Sequence, residues 1–217
     1  MKPSRLFLVA ALAASAAQAQ PAAIAASDGR AVLVAVLMQE AAVRGPENAA
    51  ETCVAAALNG PPAAPGDEDG MAPDHSVRIR FQWHVPAAAP AARAAPPPFV
   101  PGQRRARVRL PEVAPPAPLA ADQAAQLDAL RAQAARTPAP SPIDRIDASL
   151  VPAPLRLQRP YDDCAMLTLS SPAFAGDAAF VAVDYACGPV CGSGEIYALQ
   201  RREGRWQIVG VADTWVR

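Results

Sequence analysis

Lysine is all but missing from this chain. Lys2 is the only one among 217 residues, so the remaining cations are arginines beside two histidines. No Gly-Lys-Ser/Thr segment exists, which excludes a P-loop. His75 and His84 lack the i,i+4 spacing that puts two imidazoles on one helix face in a zinc protease. The 12 glycines follow no three-residue period, which excludes collagen. A charge excess of either sign is also missing. With 20 basic and 20 acidic residues the whole chain is not a generic polyanion binder, and its aliphatic content argues against wholesale disorder. No cysteine precedes Cys53, so lipid attachment at an N-terminal cleavage site has no thiol to use. No apolar run reaches the roughly 20 residues that a membrane span needs.

What the chain does hold is alanine and proline, 53 and 25 residues respectively. Alanine inflates the apolar fraction. The larger apolar residues suffice for one compact core but not two, given the usual domain size of roughly 100–200 residues. Such a bias, with arginine in place of lysine, resembles the compositional drift of a GC-rich bacterial genome.

The first nineteen residues read as a secretory signal peptide. Lys2 and Arg5 form the charged region, Leu6 to Ala14 the apolar region, and Ala17-Gln18-Ala19 the small-x-small cleavage site. Cleavage after Ala19 predicts a periplasmic or secreted protein whose mature chain starts near Gln20, with residues 20–26 flexible and no transmembrane segment. Residues 27–217 then form one domain. Proline- and alanine-rich insertions near 59–73, 86–103 and 138–160 are expected on its outside.

Export favours disulfides, and the four cysteines allow three pairings. The pairing adopted here is Cys187–Cys191 within one turn and Cys53–Cys164 across the fold. The second closes a long loop, worth roughly 4–5 kcal/mol in the chain-entropy model. The first closes a small ring whose role is to fix turn shape.

Periodicity predicts the elements. A helix from about 29 to 44 carries Val32, Leu33, Val36, Leu37 and Val43; Ser27 or Asp28 caps it and Gly45-Pro46 stops it. The run 52–58 is ambiguous between strand and helix. Ser76 to Val85 alternates strictly, with Val77, Ile79, Phe81, Trp83 and Val85 on one face, and predicts a half-buried strand. Arg105 to Leu110 repeats the pattern. A polar helix follows over about 121–136. Leu155 and Leu157 stand at strand spacing where Pro152 and Pro154 confine a strand to an edge. The last block, 164–217, predicts strands at Leu167–Leu169, 180–186, 195–201 and 206–216, the final two joined through Gly204. The expected fold is α+β, with an N-terminal helix packed on an antiparallel sheet that ends in a C-terminal β-meander. An NTF2-like cone is one such arrangement, by analogy.

The segment Cys187-Gly188-Pro189-Val190-Cys191-Gly192-Ser193-Gly194-Glu195-Ile196-Tyr197-Ala198-Leu199, continued by Gly204 and Trp206, resembles a C-terminal pattern shared by uncharacterised exported bacterial proteins. The resemblance covers about the last 55 residues. It implies a small secreted domain with a strand–glycine loop–strand–turn–strand ending, and it implies no activity.

Several motifs invite chemistry. Cys187 and Cys191 suggest a thioredoxin-type pair, but three residues intervene rather than two and a strand follows instead of a helix. A structural disulfide is the stronger reading, and a thiol–disulfide redox enzyme using Cys187 and Cys191 is the alternative. Gly192-Ser193-Gly194 lacks the nucleophile-elbow pattern and reads as glycines that let the chain reverse. Asp67-Glu68-Asp69-Gly70 lacks the distal acid of a calcium loop and reads as a solvated turn. No metal or cofactor is expected. The feature with a functional edge is an arginine ladder: Arg78 and Arg80 share one strand face, and Arg105, Arg107 and Arg109 share another. Paired, those strands gather five guanidinium groups suited to bidentate forks on an anionic ligand or envelope component. No aromatics interleave with them, so nucleic acid is not the expected partner. The function expected is a non-enzymatic, periplasmic or secreted ligand- or partner-binding module.

Overall fold

A computed structural model describes residues 26–62, 77–86, 116–136 and 143–217. In chain order the elements are helix α1 (Ala26–Ala50), strands β1 (Thr52–Val54) and β2 (Val77–Arg78), helix α2 (Ala121–Arg136), a 3-10 turn at Ala148–Leu150, and strands β3 (Arg156–Leu157), β4 (Ala165–Leu169), β5 (Ala173–Ala175), β6 (Ala178–Gly188), β7 (Cys191–Arg202) and β8 (Arg205–Val216). The fold is α+β and ends in the expected antiparallel meander, β6–β7–β8. The strands form one sheet in the order β2-β8-β7-β6-β4-β1-β3, with β5 also paired to β6. The sheet is mixed rather than purely antiparallel, because β1 runs parallel to both β4 and β3. The long path between β1 and β4 allows that parallel return, since parallel neighbours need a crossover.

Helix α1 runs past the expected stop. Gly45 takes φ 74° and ψ 166°, bending the helix, and Pro46 starts a further stretch to Ala50. A proline tolerates the first turn of a helix, so the Gly-Pro pair makes a kink here instead of an end. Asp28 lies in the first turn, where its carboxylate receives Arg201 Nη2 at 2.6 Å and Trp206 Nε1 at 3.4 Å. The N-terminal turn of α1 is thereby tied to the last hairpin.

The described part of the alternating segment, 77–85, forms less ladder than its pattern predicts. Val77 and Arg78 pair with Val216 and Trp215, and Ile79 N donates to Thr214 O. Pairing resumes only where His84 and Val211 exchange both backbone hydrogen bonds. Residues 80–83 thus oppose only 212 and 213, a bulge that turns Trp83 into the core at 2% exposure. The predicted strand over 105–110 lies outside the described residues.

Both faces of the sheet are buried, as alternation along β6 and β7 makes plain. Ala179, Val181, Val183, Tyr197 and Leu199 point to the α1 side and join Val32, Leu33, Val36 and Leu37. Phe180, Ile196 and Ala198 point the other way, toward Trp83 and Leu127 and Ala134 of α2. The weakly apolar α2 therefore finds the packing partner that an alanine-rich helix needs. The proline-bearing stretch from 143 onward, read from sequence as an outside insertion, feeds this core: Ile143, Ile146, Leu150 and Leu155 are buried in the α1-side cluster, and β3 closes the sheet edge. Prolines 152 and 154 shape the path while Leu150 and Leu155 on either side of them turn inward.

Three tight turns set the meander. Gly176, with φ 59°, and Asp177 connect β5 to β6, and Pro189-Val190 connect β6 to β7. Glu203 and Gly204 connect β7 to β8 with φ 52° and 77°, the two positive values of a type I′ hairpin.

Candidate functional site

The expected arginine ladder is only partly visible. Arg78 lies in β2 opposite Trp215, and Arg80 is exposed two residues on. Arg105, Arg107 and Arg109 lie outside the described residues, as do His75 and the acidic run 67–69. At the same corner the Arg217 guanidinium lies 5.8 Å from the centre of the Trp215 ring. Trp215 donates its indole N–H to Asp184 at 2.8 Å. Its ring occupies a berth made by absent side chains. A Cβ on Gly194 would run into the indole, and one on Gly192 would sit 2.7 Å from the Tyr185 carbonyl oxygen. These glycines do not form the reversal, which lies at Pro189-Val190; they make room for the tryptophan.

Two disulfides join Cys53 to Cys164 and Cys187 to Cys191, with Cα separations of 5.9 and 5.1 Å. The first links buried β1 to the residue entering β4. The second closes the tip of the β6–β7 hairpin, where Val190 is 80% exposed. Among the described residues, Cys53, Asp162 and Cys164 are the one grouping of metal-type donors. Its sulfurs are bonded to each other, so neither thiolate is available to a metal.

A second constellation, absent from the sequence reading, lies between α1 and the sheet. Glu40 is 1% exposed. Arg44, one turn further, donates Nε at 3.0 Å and Nη2 at 2.7 Å to its Oε2. Tyr197 on β7 lies with its hydroxyl 2.7 Å from Glu40 Oε1 and 3.0 Å from Glu195 Oε2. The Arg44 guanidinium also stacks 3.7 Å from the centre of the Tyr185 ring, a cation–π contact. Asp213 on β8 stands directly opposite Glu195. Since directly paired residues share a face, His84 opposite Val211 belongs to this same side of the sheet.

The proton count of this cluster is informative. Two oxygen–oxygen contacts at hydrogen-bond distance need two protons, and the Tyr197 hydroxyl carries one. That hydroxyl can donate to Glu40 or to Glu195 but not fully to both; with Glu40 held by Arg44, Glu195 is the carboxyl placed to take up the second proton, and once protonated it can donate to Tyr197. Electrostatics agree. Burial, then the Glu40 charge, push the Glu195 carboxyl from 4.5 up to about 7; Asp213 adds to the rise, against a smaller lowering by Tyr197 and Arg44. Tyr197 is pushed well above its ordinary value, first by burial and then by the two carboxylates. Chemically the arrangement is a short hydrogen-bonded relay that can take up or release one proton near neutrality.

A sequence signal for this cluster existed. Glu40 and Arg44 continue the helical stripe of Leu33 and Leu37 at spacings of three and four, and Glu195 and Tyr197 alternate with buried Ile196 and Ala198. Charged residues on an apolar stripe point to a buried pair. The aromatics divide between the two faces of the sheet: Trp83 belongs to the α2-side core, while Tyr197 and Trp206 belong to the α1 side. A shallow cleft of about 90 Å³ lies beside α2, lined by Leu119, Gln123, Gln126, Leu127, Gln200 and Arg202.

Comparison with protein families, curated proteins and solved structures finds no match to this chain. Among the described residues no helix is long and apolar enough to cross a membrane.

Proposed function

We propose that this protein is an exported, disulfide-braced binding module of the periplasm or extracellular space. It works without a catalytic thiol and takes an anionic ligand or envelope component at the arginine-bearing corner of its sheet. The observation that carries this reading is the meeting of β2 with the end of β8, where Arg78 is paired with Trp215, Arg80 is exposed, and Arg217 covers the Trp215 ring. A guanidinium beside an indole suits a planar or multiply charged anion, because the fork can donate two parallel hydrogen bonds. The N-terminal leader pattern, the resemblance to exported bacterial proteins and two disulfides in one chain support the address.

The setting of Cys187–Cys191 speaks against the redox alternative. A catalytic thiol is activated at a helix N-terminus or beside a cation, and here the pair caps a hairpin between two strands. Retention on immobilised phosphate or heparin at low salt, compared between the wild type and the Arg80→Ala, Arg107→Ala double variant, tests the binding reading. Loss of retention in the variant is expected; unchanged retention overturns the arginine site. An insulin-reduction assay tests the alternative. Turnover that disappears in Cys187→Ser would make the protein a thiol–disulfide enzyme.

A further inference from the structure

We propose that Glu195 is the proton-operated half of a latch that holds the C-terminal part of α1 against the sheet. The latch is built from Glu40 and Arg44 on one side and Glu195 and Tyr197 on the other, with hydrogen bonds of 2.7 Å and 3.0 Å meeting at a single hydroxyl. With Glu195 protonated, the chain of donors is complete: the Glu195 O–H donates to Tyr197, the Tyr197 O–H donates to Glu40, and Arg44 donates to the far oxygen of Glu40. Loss of that one proton leaves two carboxylates, Glu40 buried and Glu195 half-buried, competing for one hydroxyl hydrogen. A carboxylate left without a donor in such a half-buried, like-charged setting is costly.

The groups facing Glu195 do not supply the missing proton. From α1 come Glu40 and Arg44, and the Arg44 Nε–H and Nη2–H are both directed at Glu40 Oε2. From β6 comes Tyr185, under the Arg44 guanidinium. From β7 comes Tyr197, and from β8 comes Asp213, a second carboxylate directly opposite. The segment 77–86 adds His84 to the same face, one pair along. Ionised Glu195 thus joins Glu40 and Asp213 around a single arginine.

The element that yields is α1. β7 is paired along its length to β6 on one side and β8 on the other, with register shifts in the β8 ladder at Gly194/Glu195 and Ala198/Leu199 and in the β6 ladder between Ala186 and Gly188. Glu40 and Arg44 sit in the last turn before the break at Gly45, where Pro46 has no N–H to give to the helix ladder. A segment with an interrupted backbone ladder opens more cheaply than the middle strand of a meander.

Hydrogen-exchange mass spectrometry on the full chain at about pH 5 and about pH 8, with rates corrected for intrinsic exchange, tests the latch. Wild-type peptides covering residues 37–50 should lose about 50-fold in protection at the higher pH while β6–β8 peptides change little, as a carboxyl that titrates near neutrality when closed and normally when open requires. Glu195→Gln, whose amide can donate to Tyr197 at any pH, should keep the protection at both values. Equal wild-type protection of 37–50 at the two pH values overturns the proposal. So does a pH dependence that survives Glu195→Gln, which would assign it to another group such as His84. Should Glu195→Gln not fold, the wild type still decides: the carboxyl resonance of Glu195 and the exchange of 37–50 must titrate with one midpoint, and separate midpoints overturn the latch.

Discussion

The Tyr197 hydroxyl lies 2.7 Å from Glu40 Oε1, joining a strand of the C-terminal meander to the first helix across 157 residues of chain. Both residues are almost wholly buried, so the contact is the polar centre of an otherwise apolar interface. Tyr197→Phe keeps the ring in place and removes only the hydroxyl, leaving Glu40 with Arg44 alone and Glu195 without its hydroxyl partner. A loss of about 1–3 kcal/mol is expected, the range for a buried polar group that loses its partner. Urea unfolding at fixed pH measures it, and an unchanged midpoint would mean that the bond contributes nothing net.

The pH dependence of stability has a worked sign. The folded-state carboxyl of Glu195 is raised from 4.5 to about 7. Its contribution is therefore intact below pH 4.5 and is lost as pH climbs through 7, by roughly 3 kcal/mol before screening by solvent reduces it. Asp147 and Asp162 act in the opposite sense. Asp147 is lowered first by its hydrogen bonds from the Ser149 hydroxyl and backbone N–H, and Asp162 first by the backbone N–H of Arg159, with Arg156 beside it. Their contribution is present above the ordinary carboxylate range and is lost on acidification. Thermal scans across pH should place maximal stability on the acid side of neutrality, near pH 5, and Glu195→Gln should flatten the alkaline limb alone.

The glycines of β7 can be tested by a single methyl group. Gly194→Ala should displace the Trp215 indole from its hydrogen bond to Asp184, since the new Cβ would collide with the ring. A loss of about 1–3 kcal/mol is expected, as for overpacking elsewhere, together with a shift in tryptophan emission. Gly204→Ala is a control of different origin. There φ is 77° with nothing near the absent Cβ, so only backbone strain, on the order of 1 kcal/mol, should register.

The two disulfides should differ in weight. Cys53–Cys164 spans 111 residues, and removing it with paired serines should cost about 4–5 kcal/mol in the chain-entropy model. Cys187–Cys191 spans only 4, and its removal should cost at most about 2 kcal/mol. Guanidinium melts of the two double variants decide this. A larger loss at the hairpin tip would reverse the ranking.

The elements readable from sequence were those whose signal is local. Helix α2 lies where its composition places it, at Ala121–Arg136. The β7–β8 hairpin turns on Glu203-Gly204. Helix α1 was legible in its apolar stripe but not in its end, because a Gly-Pro pair serves equally as a stop or a kink and tertiary packing chooses. Strand β5 is three residues of Ala-Phe-Ala, too short for any period to register. The segment 77–85 alternates like a strand along its whole length. Only its pairing with β8 reveals the bulge that sinks Trp83.

The chain by itself determined the local matters: where glycines and prolines punctuate, which stripes are apolar, and that four cysteines are available to pair. Tertiary structure alone decided that the sheet is covered on both faces, that β1 enters it parallel, and that Glu40, Arg44, Glu195 and Tyr197 meet in one hydrogen-bonded cluster. The reason is physical. Periodicity reports which side of an element avoids water, and both sides of this sheet do. The meaning of a charged residue on such a face depends on what lies opposite, and for Glu40 the partner is 157 residues away.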